Sequence, residues 1–136
     1  PSYAQAQLLL GECYLSLGRP ETALQHLRLA TELRPDYPGA RWRLAFALIA
    51  TERHEAALTE ARRLQSRYPE LKGGQIMEAE ALLHLRRWQE VRPIARTLRA
   101  DINDPYGTSD PYGFGIMLPA LADVATGDTA SARRRI

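Results

Sequence analysis

The histidines are the first candidates in this sequence for binding a metal ion or transferring a proton. His26, His54 and His84 are separated by 28 and 30 residues. Metal-binding histidines usually come in closer pairs, such as two residues four apart on one helix. This spacing therefore argues against a metal site, and we expect neither a metal nor another cofactor.

The single cysteine is the other candidate for chemistry. Cys13 stands next to Tyr14 within a helical pattern, and no base that could activate its thiol is indicated nearby. We therefore expect Cys13 to be a small buried apolar side chain and not a nucleophile. One cysteine cannot form a disulfide within the chain, so the cysteine content does not distinguish a cytoplasmic from a periplasmic location.

Side chains with oxygen atoms cluster around the motif DPYG, which occurs twice in "DPYGTSDPYGFG", residues 104–115. A calcium loop of the EF-hand kind requires oxygen ligands at its first, third, fifth and twelfth positions. Counted from Asp101, the fifth residue is Pro105 and the twelfth is Tyr112, so the pattern fails. Asx turns are the expected role of these side chains. With no catalytic pattern, we expect a protein that is not an enzyme.

Length and charge limit the class of protein further. A chain of 136 residues suggests one domain or a short array, and a net charge of +2 is too balanced to indicate a polyanionic partner. No apolar run is long enough to span a membrane. The chain begins at Pro1 without Met and stops in a run of three arginines, which we interpret as a segment of a longer protein.

A repeat of 34 residues organises the chain. Small residues recur in phase, and so do large apolar ones. The matched sets are Gly11, Ala45 and Ala79; Tyr14, Leu48 and Leu82; Ala23, Ala57 and Val91; Ala30, Leu64 and Leu98; and Pro35 with Pro69. Three copies that keep small and large residues in register indicate a repeat architecture.

Each copy predicts two helices. Leu10, Tyr14 and Leu17 share one helical face, and the run from Gly18 to Pro20 separates them from a second periodic segment. Gly11 with Ala23, and Ala45 with Ala57, supply the small residues that close helix packing requires. The predicted pairs are 3–17 with 20–33, 39–50 with 54–67, 74–85 with 88–100, and 114–126 with a helix from 129 onward.

The pattern resembles the tetratricopeptide repeat family. "LLGECY", "ETALQHLRLA" and "LRP" match it in the first copy, and "EAALTEARRL" and "YPEL" in the second. The third copy departs from it at Val91, Pro93 and Asn103. The resemblance implies an all-α, right-handed α-solenoid of antiparallel helix-hairpin repeats, with about three and a half units.

The whole chain is expected to form one such segment. The units fall at about 4–37, 38–71, 72–105 and, in part, 113–136. "ATGDTASA" (125–132) resembles "SLGRPETA" (16–23) and matches Gly127 to Gly18, which places the last copy about seven residues late. We therefore predict an insertion at about 101–113.

In this family the first helix of each unit lines a concave groove, and the resemblance carries that role over by phase. The predicted partner-binding positions are Leu8, Glu12 and Leu15; Trp42, Phe46 and Ile49; and Ile76, Glu80 and Leu83. An apolar patch of this kind commonly marks an interaction site, although another part of the protein or a second chain could cover it instead. The Lys and Asn of the family's carboxylate clamp are missing from these positions, so we expect an apolar peptide or helix.

Other functions stay open. The segment could be the regulatory or oligomerising arm of a larger enzyme or of a secretion or assembly system. RNA binding is less favoured, because glutamates are interspersed among the pairs Arg62-Arg63 and Arg86-Arg87. The expected partner is a protein or peptide, with no nucleic acid, no membrane span and oligomerisation possible.

Overall fold

The computed structural model describes residues 2–101, 120, 123–124 and 126–136, and every regular element among them is an α-helix. The helices are α1 (Tyr3–Ser16), α2 (Pro20–Leu33), α3 (Pro38–Ala50), α4 (His54–Arg67), α5 (Lys72–His84), α6 (Trp88–Asp101) and α7 (Thr129–Arg135). Each lies within two residues of its predicted bounds. Apart from Asp101, the predicted insertion falls outside the described residues. So does most of the helix predicted at 114–126, although 120, 123, 124 and 126 are helical.

Four helix C-termini share one backbone motif. A left-handed backbone occurs one or two residues after the last helical residue, at Gly18, Glu52, Arg86 and Gly127, with φ of 69°, 61°, 57° and 92°. The next N–H donates to a carbonyl five residues back, as in a Schellman cap. These bonds are Arg19 to Tyr14, Arg53 to Leu48, Arg87 to Leu82 and Asp128 to Asp123, at 2.8–3.0 Å. These residues are spaced by 34, 34 and 41 positions, and the last spacing is seven residues longer than the repeat.

Replacing Glu52 by glycine is expected to stabilise the fold by about 0.5–1 kcal/mol. A left-handed backbone costs a residue with a Cβ roughly 1–2 kcal/mol, and the greater unfolded-state entropy of glycine offsets part of the gain. Glu52 is exposed, so little packing is lost with its side chain. Urea unfolding would measure the change, with Gly18→Ala as the matched control that should destabilise. A lower midpoint for Glu52→Gly would contradict the assigned cap.

Packing joins helices that are close in sequence. Contacts link α1 to α2, α2 to α3, α3 to α4 and α1 to α3. Gly11 allows close approach in the first hairpin, because a Cβ on it would lie 2.5 Å from the Cγ of Leu27. In the second hairpin, Ala45 and Ala57 are both fully buried. The small residues of the repeat therefore stand where the predicted close packing requires them.

The chain divides into two compact units, and the boundary falls within α5. The first unit is Pro1–Glu78. Its surface is crossed by ion pairs such as Arg41 with Glu60, at 2.5 Å, and Arg53 with Glu21, at 2.8 Å. The exposed pair of Arg53 and Glu21 contributes little to stability in water. The stability of this unit therefore rests mainly on its buried apolar residues.

The second unit is Ala79–Ile136. Val91 is fully buried, at the position where the first two copies have alanine. Asp128 caps α7 by accepting a hydrogen bond from the backbone N–H of Ser131, at 2.9 Å. Hydrogen bonding by Ser131 lowers the pKa of Asp128. Across the described residues of both units, no helix has the length and apolar character needed to cross a membrane.

Candidate partner-binding surface

The first helices of the unit Pro1–Glu78 form one layer. Helix α1 contacts α3, and Glu12 on α1 forms an ion pair with Arg43 on α3. Gly73, in the first turn of α5, lies against Trp42, since a Cβ on it would be 2.8 Å from the Cδ1 of that indole. Trp42 on α3 therefore lies against the first helix of the following repeat.

An aromatic pair occupies the centre of this layer. Trp42 and Phe46 are four residues apart on α3, so they project from the same side of the helix. Their rings stack with centroids 6.3 Å apart and planes inclined by 17°. The guanidinium carbon of Arg43 lies 5.8 Å from the centroid of Trp42. Both aromatic residues keep part of their surface exposed, and their neighbours fix their orientation.

The predicted partner-binding residues differ in exposure. Part-exposed are Glu12, Leu15, Trp42, Phe46 and Ile76. Buried are Leu8, Ile49, Glu80 and Leu83, with 6%, 7%, 8% and 0% of their surface exposed. The accessible apolar surface at the predicted positions of the first unit therefore comes from Leu15, Trp42, Phe46 and Ile76, which we call the first-helix surface. That a partner binds there stays a prediction.

Comparison with known proteins identifies the architecture. A family model described as tetratricopeptide repeat matches residues 15–72. The match makes residues 15–72, less than half of the chain, similar to tetratricopeptide repeats. The crystal structure of a thermophilic tetratricopeptide repeat protein from Thermus thermophilus is similar over 97% of this chain and 70% of that one, with a TM-score of 0.68 and 23% identity. A search of curated proteins gave no match.

These similarities confirm the predicted all-α solenoid of helix-hairpin repeats. Tetratricopeptide repeats generally mediate protein–protein interaction, and proteins of this family are typically non-catalytic scaffolds. At the identity of the structural relative, the likeness shows the fold alone. The partner of this chain must therefore be inferred from its own surface.

The ion pair between Glu12 and Arg43 is the feature of the repeat surface that sequence reasoning missed. Glu12 is one of the predicted partner-binding residues, and the structure joins it to Arg43. The two residues are 31 positions apart, which is three less than the repeat length. This separation is the sequence feature from which the pairing could have been predicted. The pairing makes this side of the first-helix surface close to neutral.

Of the three histidines, His26 contacts two side chains of α1. The Nδ1 of His26 lies 2.7 Å from the Oε1 of Gln7, and its ring stacks on Tyr14 at a centroid distance of 5.3 Å. Within the described residues, no group of three or more His, Cys, Asp or Glu could hold a metal ion. The contacts of His26 are those of a structural residue.

The expectation that Cys13 is buried is wrong, because its side chain is exposed. The helical pattern places Cys13 on a flank of α1 that no described helix covers. One repeat later, Ala47 occupies the same flank of α3, where α2 packs, and is fully buried. Burial at this repeat position depends on the preceding helix and not on the residue type.

Three arginines of the two arginine pairs are engaged by glutamates. Arg62 binds Glu78 at 2.9 Å, and Arg63 binds Glu60 at 2.8 Å. Arg87 donates two hydrogen bonds to Glu90, at 2.6 and 2.9 Å. Because these guanidinium groups already have carboxylate partners, a phosphate backbone would have to displace the glutamates.

Proposed function

We propose that this chain is a non-catalytic interaction module that binds an apolar peptide or helix on the first-helix surface. The stacked, part-exposed pair of Trp42 and Phe46 carries the proposal. Aromatic side chains that sit in a recess supply large contact area at low entropic cost and tend to dominate binding energy. The apolar neighbours Leu15 and Ile76 would extend this contact along the layer of first helices.

The charges beside the pair favour an apolar ligand. Glu12 and Arg43 pair with each other, so they leave little net charge for a ligand to match. An amphipathic helix with apolar side chains at i, i+3, i+4 and i+7 would fit such a surface. Arg43 lies over the indole ring, and this contact would lower the cost of ordering Trp42 on binding.

Two other functions have weaker support. A regulatory or oligomerising arm of a larger enzyme would use the same surface, with a partner inside its own assembly. An RNA-binding repeat is disfavoured by the ion pairs of Arg62 and Arg63. Filter binding to RNA across a salt series tests the RNA-binding function, because phosphate contacts would make the affinity fall steeply with increasing salt.

The test of the proposal is the double change Trp42→Ala and Phe46→Ala. A partner captured with the parent chain is purified, and its affinity for each variant is measured by calorimetry. We expect at least about tenfold weaker binding, because the aromatic contact is lost. The matched control is Leu33→Ala with Tyr37→Ala, two exposed residues away from this surface, which should bind as the parent does.

Folding must be separated from binding in this experiment. Trp42 and Phe46 are part-buried, so each variant is first checked by circular dichroism and thermal unfolding. A variant that keeps its helicity and melting temperature and still binds as tightly as the parent would refute the proposed site. A variant that loses its fold would instead assign the pair a structural role, and Leu15→Ala and Ile76→Ala would then replace it in the binding test.

A further inference from the structure

A cleft that the proposed function does not use lies between helix α4 and the loop that joins α2 to α3. It has a volume of about 990 Å³, and all its lining residues belong to the first unit. Its charged lining side chains are four arginines and one aspartate: Arg41, Arg62, Arg63, Arg67 and Asp36. We call it the arginine cleft.

The walls of the arginine cleft are held in place by the protein's own hydrogen bonds. The hydroxyl of Tyr68, directly after α4, donates to the backbone carbonyl of Asp36 in the loop. Nη2 of Arg41 on α3 donates to the carbonyl of Pro35, at 3.4 Å. Pro35 and Tyr68 also line the cleft and give it apolar surface. A ligand would therefore enter a cleft that is already formed, which lowers the cost of ordering on binding.

The ion pairs around the cleft expose arginine more than glutamate. Arg62 has 46% of its side chain exposed, whereas its partner Glu78 has 12%. Arg63 has 63% of its side chain exposed, whereas its partner Glu60 has 13%. Glu60 also binds Arg41, so one carboxylate serves two arginines. The glutamate side chains are thus largely covered, and a ligand would meet a positively charged surface.

Arg67 adds a positive charge that no carboxylate balances. It is exposed, and it has no ion-pair partner in the part of the chain that the structure describes. It follows Arg63 by four residues on α4, so the two side chains project from the same side of the helix. Arg63 donates to Glu60 through Nη1, and a guanidinium has further N–H groups for a second acceptor. The two arginines can therefore hold one carboxylate between them.

The repeat register shows that helix packing does not require arginine at these two positions. The matched residues are Leu29 and Leu33 in the first copy, and Thr97 and Asp101 in the third. In the first copy, α1 and α2 form the same kind of packed hairpin with leucines there. The arginines of the second copy are therefore free to serve another purpose, and their place in a formed cleft points to an anionic ligand.

We propose that the arginine cleft binds an acidic segment of a partner protein, with a glutamate or aspartate carboxylate held between Arg63 and Arg67. Apolar side chains of the same segment would contact Pro35 and Tyr68. Asp36 on the loop would repel a carboxylate, so it directs the negative charge of the ligand towards α4. This surface is separate from the first-helix surface and adds a second binding site to the repeats.

A peptide matches this charge arrangement better than a nucleic acid does. The carboxylates of a peptide can be few, so one of them can use Arg67 and the remaining donors of Arg63 while the ion pairs stay intact. A nucleic acid carries a negative charge at every nucleotide, and it would have to displace glutamates from the paired arginines as well.

Fluorescence anisotropy with the full 136-residue chain is the first arm of the test. The probe is a short labelled peptide in which glutamates alternate with alanines, and its neutral control has glutamines in place of the glutamates. The parent should bind the acidic peptide at least about tenfold more tightly than the neutral one, and less tightly as salt increases. A parent that binds neither peptide, or both equally, would overturn the proposal.

Charge removal is the second arm. Arg63→Gln combined with Arg67→Gln should weaken binding of the acidic peptide by at least about tenfold, because two charge-assisted contacts are lost. The matched control, Arg19→Gln with Arg86→Gln, removes the same charge from two exposed residues that do not line the cleft, and it should bind as the parent does. Equal weakening by the two double variants would show a general effect of charge and sink the assignment.

Two further measurements complete the test. Arg67→Gln alone breaks no ion pair among the described residues, so it should keep the parent's helicity and melting temperature and still weaken binding about threefold. Unchanged binding by this folded variant would contradict the proposed role of Arg67. A single-stranded RNA oligonucleotide of the same charge should displace the labelled peptide less effectively than the unlabelled peptide does. More effective displacement by RNA would replace the acidic segment with nucleic acid as the ligand.

Discussion

Replacing Leu27 by alanine is expected to lower the free energy of unfolding by about 2–5 kcal/mol. Leu27 is fully buried, and its side chain fills the space above Gly11, where α1 and α2 approach most closely. Deleting it removes apolar contacts and leaves a cavity that two packed helices cannot fully close. Urea unfolding followed by circular dichroism would measure the loss. Leu33→Ala, at an exposed leucine of the same helix, should change stability by less than about 0.5 kcal/mol.

The contact between Gly11 and Leu27 can be tested by combining changes at both positions. Gly11→Ala alone should cost about 1–3 kcal/mol, because its Cβ would overlap the Cγ of Leu27. In the Leu27→Ala background the added methyl group enters vacated space, so the double variant should lose less stability than the sum of the single changes. Strict additivity would show that the two residues do not meet.

Ala57→Leu is expected to destabilise the second hairpin by about 1–3 kcal/mol through overpacking. Ala57 on α4 and Ala45 on α3 are both fully buried in the packed hairpin, so a longer side chain has no free volume to enter. Thermal unfolding would report the change as a lower melting temperature. The preceding residue is an ideal control, since Ala56 is exposed on the same helix and Ala56→Leu should be nearly neutral. Equal melting temperatures for the two variants would mean that the repeat phase is wrong.

The helix boundaries could be predicted because each break between helices is marked by its residue types or by the 34-residue repeat. Gly18 and Gly127 mark two of the left-handed caps directly. Glu52 and Arg86 adopt the same backbone without a glycine, and only the 34-residue register places them there. In those copies the helix C-terminus is set by the packing of its two helices, since the residue itself disfavours the conformation.

The candidate site was harder to predict than the fold. Helical phase gives the direction in which a side chain leaves its helix, but it does not say how far the neighbouring helices close over that side chain. Leu8, Ile49, Glu80 and Leu83 are buried for this reason, although they share the phase of the part-exposed Trp42. The stacking of Trp42 on Phe46 and its contact with Gly73 depend on side-chain rotamers and on helix spacing, which the sequence pattern does not contain.

The contacts between successive helices have a consequence for folding kinetics. The contacts described in the first unit join helices that are adjacent in the chain or separated by a single helix, as α1 and α3 are. The sequence separation of contacting residues is therefore short, and little loop-closure entropy is lost before native contacts compensate for it. Chains with such low contact order fold in microseconds to milliseconds, and in repeat proteins either hairpin can serve as the nucleus from which structure propagates.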